Sequence, residues 1–371
     1  MPVPAPTATN TPTTATPAPT ATTAPQPRIA AYILSDTAAT LRSEDAGATW
    51  QEVLPFPASL SFVGGEEGWA ASSHELLKTT DGGRTWSTET DQLPSTDVFF
   101  GPIDFADSQD GILAAAIPDD PNADLGAKFT VSLVQTNDGG GSWTLAFERE
   151  RCEVADLRLC PFDRPGCIPA SLCFTDAGHA LAVACGQVLR SDDGGGTWVA
   201  VTSFPADSSA RAPRVSCGGG GALWVIEADS VSRSIDGGLN WEEQPVPPGT
   251  TDVSFVSDQT GWAVTSEGLS TAVYRTMDGG EHWEQQFTPP AFGPEQEFTP
   301  PPAVHFEDAR HGVMAEFHLT GFSAFPGWVG FPRRWLTDDG GTSWAEVELG
   351  RRGTATPPRP SAFLGAIGLG Y

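Results

Sequence analysis

The sequence predicts an all-β fold: a seven-bladed β-propeller of four-stranded antiparallel blades, closed by its C-terminal strand and preceded by a disordered Pro/Thr-rich tail. Three observations predict it. One eight-residue turn recurs seven times, a Phe-to-Trp interval of seven residues recurs upstream of it, and the insertions between copies gather at one end of the sheets so defined.

The turn reads Ser/Thr-x-Asp-x-Gly-x-Ser/Thr-Trp. Its aspartates are Asp45, Asp81, Asp138, Asp193, Asp236, Asp278 and Asp339, and its tryptophans are Trp50, Trp86, Trp143, Trp198, Trp241, Trp283 and Trp344. Asn240 and His282 replace the penultimate hydroxyl in two copies. Asp and Ser/Thr oxygens accept hydrogen bonds from the N–H groups of a tight turn, and Gly supplies positive φ. The Trp opens the next strand with an apolar face of roughly 200 Å², worth up to about 5 kcal/mol when buried, so these tryptophans are expected in the core.

Upstream of the turns, Phe62–Trp69, Phe105–Ile112, Phe174–Leu181, Cys217–Trp224, Phe255–Trp262 and Phe306–Val313 keep one interval. A constant spacing between short apolar runs means a hairpin of fixed turn length. Each unit therefore has four strands: A carries the Phe, B the Gly-Trp-Ala run, C the apolar residues before the turn, and D starts at the Trp. The first unit supplies B and C from RIAAYILSDTAATLRSED but lacks a strand A. SAFLGAIGLGY (361–371), after a Pro-rich connection at 353–360, is expected to furnish it and so remove a sheet edge.

These turns match the Asp-box, or bacterial neuraminidase repeat. The longer unit, from the Phe to TxDGGxxW, is similar to the propellers of photosystem II stability and assembly factors and their bacterial relatives over residues 29–350. The resemblance implies the propeller fold. It does not imply one activity, because Asp-box propellers include sialidases, endoglucanases acting on xyloglucan, sortilin-type receptors and assembly factors.

Residues 1–27 are a Pro/Thr/Ala tract without charge or apolar period, read as a stalk (domain 1–28) before the propeller (29–371). No basic and apolar leader precedes the tract. It resembles the wall-crossing spacers of bacterial secreted proteins and lipoproteins, so a lipid or wall anchor upstream is one expectation and a plain disordered N-terminus the other. No window is apolar enough to span a bilayer as a helix. The formal net charge of −27 repels phosphate backbones and excludes nucleic acid as a partner.

Cys152, Cys160, Cys167, Cys173, Cys185 and Cys217 fall within 66 consecutive positions. An even, clustered set without Cys-x2-Cys or histidine spacing favours disulfides over zinc, with the pairing open, and places the protein outside the cytoplasm. No metal or cofactor is expected; the oxygen-rich run Asp119–Asp124 lacks the spacing of a calcium loop.

Antiparallel alternation puts the A–B turns and the eight-residue turns on one face, and the B–C loops and D-to-A crossovers on the other. The second face takes the insertions at 117–128, 148–170, 285–303 and 315–333, which marks it as the binding face. Its candidate residues are Phe317, Phe322, Phe325, Trp328 and Phe331, an aromatic group suited to a sugar ring or a protein, and Arg149, Arg151, Arg158 and Arg164 beside four cysteines. A loop packing on itself and a self-satisfied ion network are the plain structural readings.

The resemblance to sialidases implies three arginines, a Tyr–Glu pair and an Asp acid/base. Here Tyr32 falls in strand B of the first unit, Tyr274 immediately precedes a turn, and Tyr371 is terminal. Arg28-Ile29 is similar to the opening of that family, but Ala30 replaces its proline. No catalytic residue is therefore assigned. The first expectation is a non-catalytic extracytoplasmic propeller that recognises a protein or glycan; the alternative is a glycoside hydrolase of sialidase-like or two-carboxylate type.

Overall fold

The computed structural model describes residues 31–347 apart from 35–38, 45–48, 57, 73–74, 91–92, 94–98, 119–128, 150–170, 185–186, 204–213, 218–220, 227–229, 268–269, 291–301, 307 and 324–326. Strands β1 (Ala31–Leu34), β2 (Thr40–Ser43) and β3 (Gln51–Leu54) form a three-stranded sheet. Six four-stranded antiparallel blades follow. They are β4 (Ser59–Val63), β5 (Glu67–Ala71), β6 (Leu76–Thr79) and β7 (Ser87–Thr88); β8 (Phe99–Phe105), β9 (Gly111–Pro118), β10 (Phe129–Thr136) and β11 (Thr144–Arg149); and β12 (Ser171–Asp176), β13 (His179–Ala184), β14 (Gln187–Ser191) and β15 (Val199–Ser203). The rest are β16 (Arg214–Cys217), β17 (Leu223–Ile226), β18 (Val231–Ser234) and β19 (Glu242–Glu243); β20 (Thr250–Phe255), β21 (Gly261–Glu267), β22 (Ser270–Thr276) and β23 (Glu284–Phe287); and β24 (Ala303–Phe306), β25 (Gly312–Ser323), β26 (Gly327–Thr337) and β27 (Ala345–Glu346).

Every blade is a meander in chain order. The molecule is an all-β propeller, but the expectation of seven four-stranded blades is corrected among the described residues to six, plus the three-stranded sheet. The first unit has no strand A of its own, and 361–371, expected to supply it, lie outside the described residues, as does the stalk. No helix among the described residues is long and apolar enough to cross a membrane.

Six of the eight-residue turns are described in full, and all are wired alike. In the turn at 191–198, Ser191 Oγ donates to Asp193 Oδ1 and accepts from Gly195 N; Thr197 N donates to Asp193 Oδ1 and Thr197 Oγ1 to Oδ2, all within 2.7–2.9 Å. The two sequence exceptions keep the same wiring. Asn240 Nδ2 and His282 Nδ1 donate to Asp236 and Asp278 Oδ2 at 2.6 and 2.7 Å, where other turns use a hydroxyl. The position requires a donor, not a hydroxyl.

The Phe-to-Trp interval has an equally local cause. Phe62, Phe105, Phe255 and Phe306 each pair across the A–B hairpin with Gly68, Gly111, Gly261 and Gly312. A Cβ on any of these glycines would lie 2.4–2.5 Å from the Phe ring, so the ring occupies the space a side chain would fill. The Phe then meets the preceding blade. Trp69 stacks on Phe105, Trp224 on Phe255 and Trp262 on Phe306 at 3.5–3.7 Å. Lys78, Arg233 and Arg275, which precede the turns, lie over those indoles at 4.8–5.3 Å.

The same residues close the seam between blades. Trp69 Nε1 and Lys78 Nζ both donate to Gly139 O in the next blade's turn, at 3.2 and 3.0 Å; Gln135 reaches Gly194 O at 2.7 Å, and Trp262 Nε1 reaches Gly340 O at 3.1 Å. Trp69, Trp224 and Trp262, on the B strands, are fully buried. The turn tryptophans differ from expectation: Trp143 is buried, but Trp50, Trp86, Trp198, Trp241, Trp283 and Trp344 are only half-buried. They stand edge-on to the Phe at 5.8–6.0 Å in four blades and cap the core from outside.

Candidate binding face

The eight-residue turns and the A–B turns meet on one face. Gly82 N donates to Glu66 O, Gly139 N to Gln109 O, Gly194 N to Gly178 O, Gly279 N to Gln259 O and Gly340 N to Arg310 O, at 2.7–2.9 Å. This face is built of short, mutually bonded turns. Asp278, Glu281 and His282 approach within 4.8 Å of one another there, but Asp278 and the Nδ1 of His282 are committed to their turn.

Of the four insertions expected on the opposite face, those at 117–128, 148–170 and 285–303 fall mostly outside the described residues. That at 315–333, expected as a loop, is instead an extension of the B and C strands of the last blade: β25 and β26 have 12 and 11 residues, against 4–8 for the matching strands of the other four-stranded blades. Backbone pairing sets Phe317 opposite Pro332, Phe331 opposite His318 and Phe322 opposite Trp328. β24 pairs with β25 only through Ala315, and β27 with β26 only at Trp335 and Leu336, so the hairpin runs past both neighbours. Short apolar runs do not fix the length of a hairpin, which is why the segment reads as a loop in the sequence.

At the hairpin's root, Arg333 grips three elements. It donates from Nε and Nη2 to the Glu346 carboxylate at 2.8 and 3.3 Å and from Nη1 to Pro290 O at 2.9 Å, with Glu316 at 3.5 Å. Its guanidinium lies 4.8 Å from the Trp335 ring. This anchor was not singled out in the sequence. Of the basic candidates, Arg149 ends β11 opposite Val131. Arg151, Arg158, Arg164 and Phe325 lie outside the described residues, as do Asp45, Cys152, Cys160, Cys167 and Cys185.

The inner strands hold polar groups that sequence reasoning missed. Their signal is the residue before each Phe. Ser61 Oγ accepts from Phe105 N at 3.0 Å, Asp104 Oδ2 from Phe174 N at 2.8 Å and Ser254 Oγ from Phe306 N at 2.9 Å, each reaching the next blade's inner strand. Cys173 holds this position in its blade and forms a disulfide to Cys217, which takes the Phe position in the next; the Cα atoms are 6.0 Å apart. Asp252 joins the same girdle, bridging Arg214 at 2.8 Å and Val304 N at 3.1 Å. His305 is the last residue of the series; its Nε2 is buried and has no partner among the described residues.

Titration follows these environments. Hydrogen bonds from His282 and Asn240 pull the turn aspartates Asp278 and Asp236 down to about 2. Burial pushes His305 down from 6.5 to about 4 and Asp104 up from 3.8 to about 6. A raised carboxyl contributes stability that is complete below 3.8 and lost as pH rises through 6. Asp104→Asn is therefore expected to gain up to about 3 kcal/mol on the parent protein between pH 4 and pH 7 in urea unfolding. A stability difference that stays flat over that interval would show that Asp104 ionises normally.

No family model and no curated protein matches the chain. Solved propellers do. A structure described as YCF48 bound to D1 peptide has a TM-score of 0.51 at 18% identity, over 86% of this chain and 85% of that one. YCF48 from Cyanidioschyzon merolae has a TM-score of 0.50 at 15% identity, over 86% and 88%. A GH74 enzyme from Niastella koreensis has a TM-score of 0.51 at 14% identity, over 85% of this chain but 64% of its own. At these identities the likeness shows the fold.

Proposed function

We propose that this chain is a non-catalytic Asp-box propeller that recognises a polypeptide through its insertion-bearing face, outside the cytoplasm. The observation that carries this reading is the asymmetry of the two faces. Short bonded turns close one, while the other extends a hairpin beyond its blade, held at the root by Arg333. From Phe317 to Thr337 this segment has no Asp or Glu in a chain that has 47. A long hairpin free of carboxylates on so acidic a body suits a protein contact better than solvent. The disulfide supports the compartment, and a YCF48 structure with a bound peptide supports the partner class.

The test replaces 317–332 with a two-residue turn. Partners recovered by cross-linking and mass spectrometry from the native source should be lost from this variant and kept by Trp86→Phe, while the melting temperature of both holds. Hydrolysis of sialosides or β-glucans abolished by a single carboxylate change on that face would overturn the proposal.

The proposal includes closure of a seventh blade by 361–371. At the position of His305, three other blades bond the next inner strand, and in a closed ring the strand after β24 would be the one that β1–β3 lack. An incoming backbone N–H would satisfy Nε2. Deleting 361–371 is expected to lower the melting temperature by roughly 5 °C or more. An unchanged transition would reject the closure.

A further inference from the structure

A second surface involves no residue of the hairpin. The crossover from β19 to β20 carries Pro245, Val246, Pro247 and Pro248 past Tyr274 of β22 and Trp283, the turn tryptophan of that blade. Together they line an open groove of about 270 Å³. Trp283 differs from three of its equivalents in the acceptor that it bonds. Trp198, Trp241 and Trp344 donate Nε1 to a glycine carbonyl of their own turn at 2.9–3.0 Å, whereas Trp283 donates to Pro245 O at 2.9 Å. The indole is thus pinned to the crossover as a wall, braced from behind by Phe255 at 6.0 Å. Tyr274 and Trp283 both remain half-exposed.

No lining residue is charged, yet the chain on both sides is acidic. Glu242 and Glu243 lie just before the proline run and Glu284 follows Trp283; all three are exposed, and none has an ion-pair partner among the described residues. Arg275, beside Tyr274, is turned inward over Trp262.

From this geometry we propose that the groove docks an extended, proline-containing polypeptide segment that carries arginine or lysine. Aromatic grooves accept the polyproline II helix because its backbone is already extended and little ordering entropy remains to be lost. The glutamates and the net charge of −27 select a basic segment over an acidic one and speed its approach. This surface shares no residue with the hairpin at 315–333, and the peptide titration reads it apart from the partner-capture test of the proposed function.

The test titrates the full chain with a synthetic polyproline peptide flanked by arginines, following the indole N–H resonance of Trp283. Saturable binding is expected, weakened about tenfold in Tyr274→Ala and about fivefold in Glu243→Lys, with both variants still folded at the titration temperature and the melting temperature of Glu243→Lys unchanged. The same peptide flanked by glutamates should bind at least tenfold more weakly. Absence of saturation, or equal affinity for the two peptides, would overturn the proposal. Binding confined to a chain lacking 350–360 would also overturn it, the groove then holding this chain's own Arg351–Pro360 segment.

Discussion

Replacing Trp262 with alanine is expected to destabilise the protein by about 4–5 kcal/mol, the upper part of the range for aromatic truncation in a core. The ring is fully buried. It stacks on Phe306 at 3.5 Å, supports Arg275 at 5.2 Å and donates to Gly340 O in the next blade. Alanine removes all three contacts, leaves a cavity at the seam and orphans a buried carbonyl. Trp198→Ala provides the comparison, since its ring is half-buried and its hydrogen bond stays within its own turn; a loss of about 2 kcal/mol is expected there. Urea unfolding of the two variants decides the matter. Equal losses, or a Trp262 loss below about 2 kcal/mol, would mean that the seams contribute no more than the turns.

Opening the Cys173–Cys217 bridge is the second large effect. The bond joins the inner strands of adjacent blades across 44 residues of sequence. Closing a loop of that length in the unfolded chain is worth about 4 kcal/mol in the chain-entropy treatment. Cys217→Ser should approach that loss and shift the thermal transition down by roughly 8 °C or more. Cys173→Ser with Cys217→Ser should lose no more than either alone, because one bond is removed in each case. A double variant as stable as the parent would show that the bridge does not constrain the unfolded ensemble.

Much of the architecture was legible because its causes are local. The turn wiring is contained in eight residues, and the Phe interval is one hairpin with a ring lying on a glycine, so both patterns survive as short strings. The girdle of Ser61, Asp104, Ser254 and Asp252 was not legible. Its bonds join residues 44–70 positions apart, and serine before phenylalanine resembles ordinary strand alternation. The same holds for Trp69 and Trp262. Their indoles read as core, but nothing in their own segment says that they bond a turn in the following blade. The long hairpin was legible as an aromatic insertion, and its β pairing was not. Arg333 was passed over because its partners, Glu346 and Pro290, are set beside it only by the fold.

The clasp between blades also fixes what can be exchanged. Four turns are completed by side chains of the blade before them, Trp69 and Lys78 at Gly139, Gln135 at Gly194, Arg233 at Gly279 and Trp262 at Gly340, so the modular unit straddles two sheets and ends in the middle of each. A graft cut at blade boundaries would import a turn without its clasp and a clasp without its turn. A segment cut from the B strand of one blade through the eight-residue turn of the next would carry that joint intact, which makes the interior of a blade a better crossover point for recombination than the linker between blades.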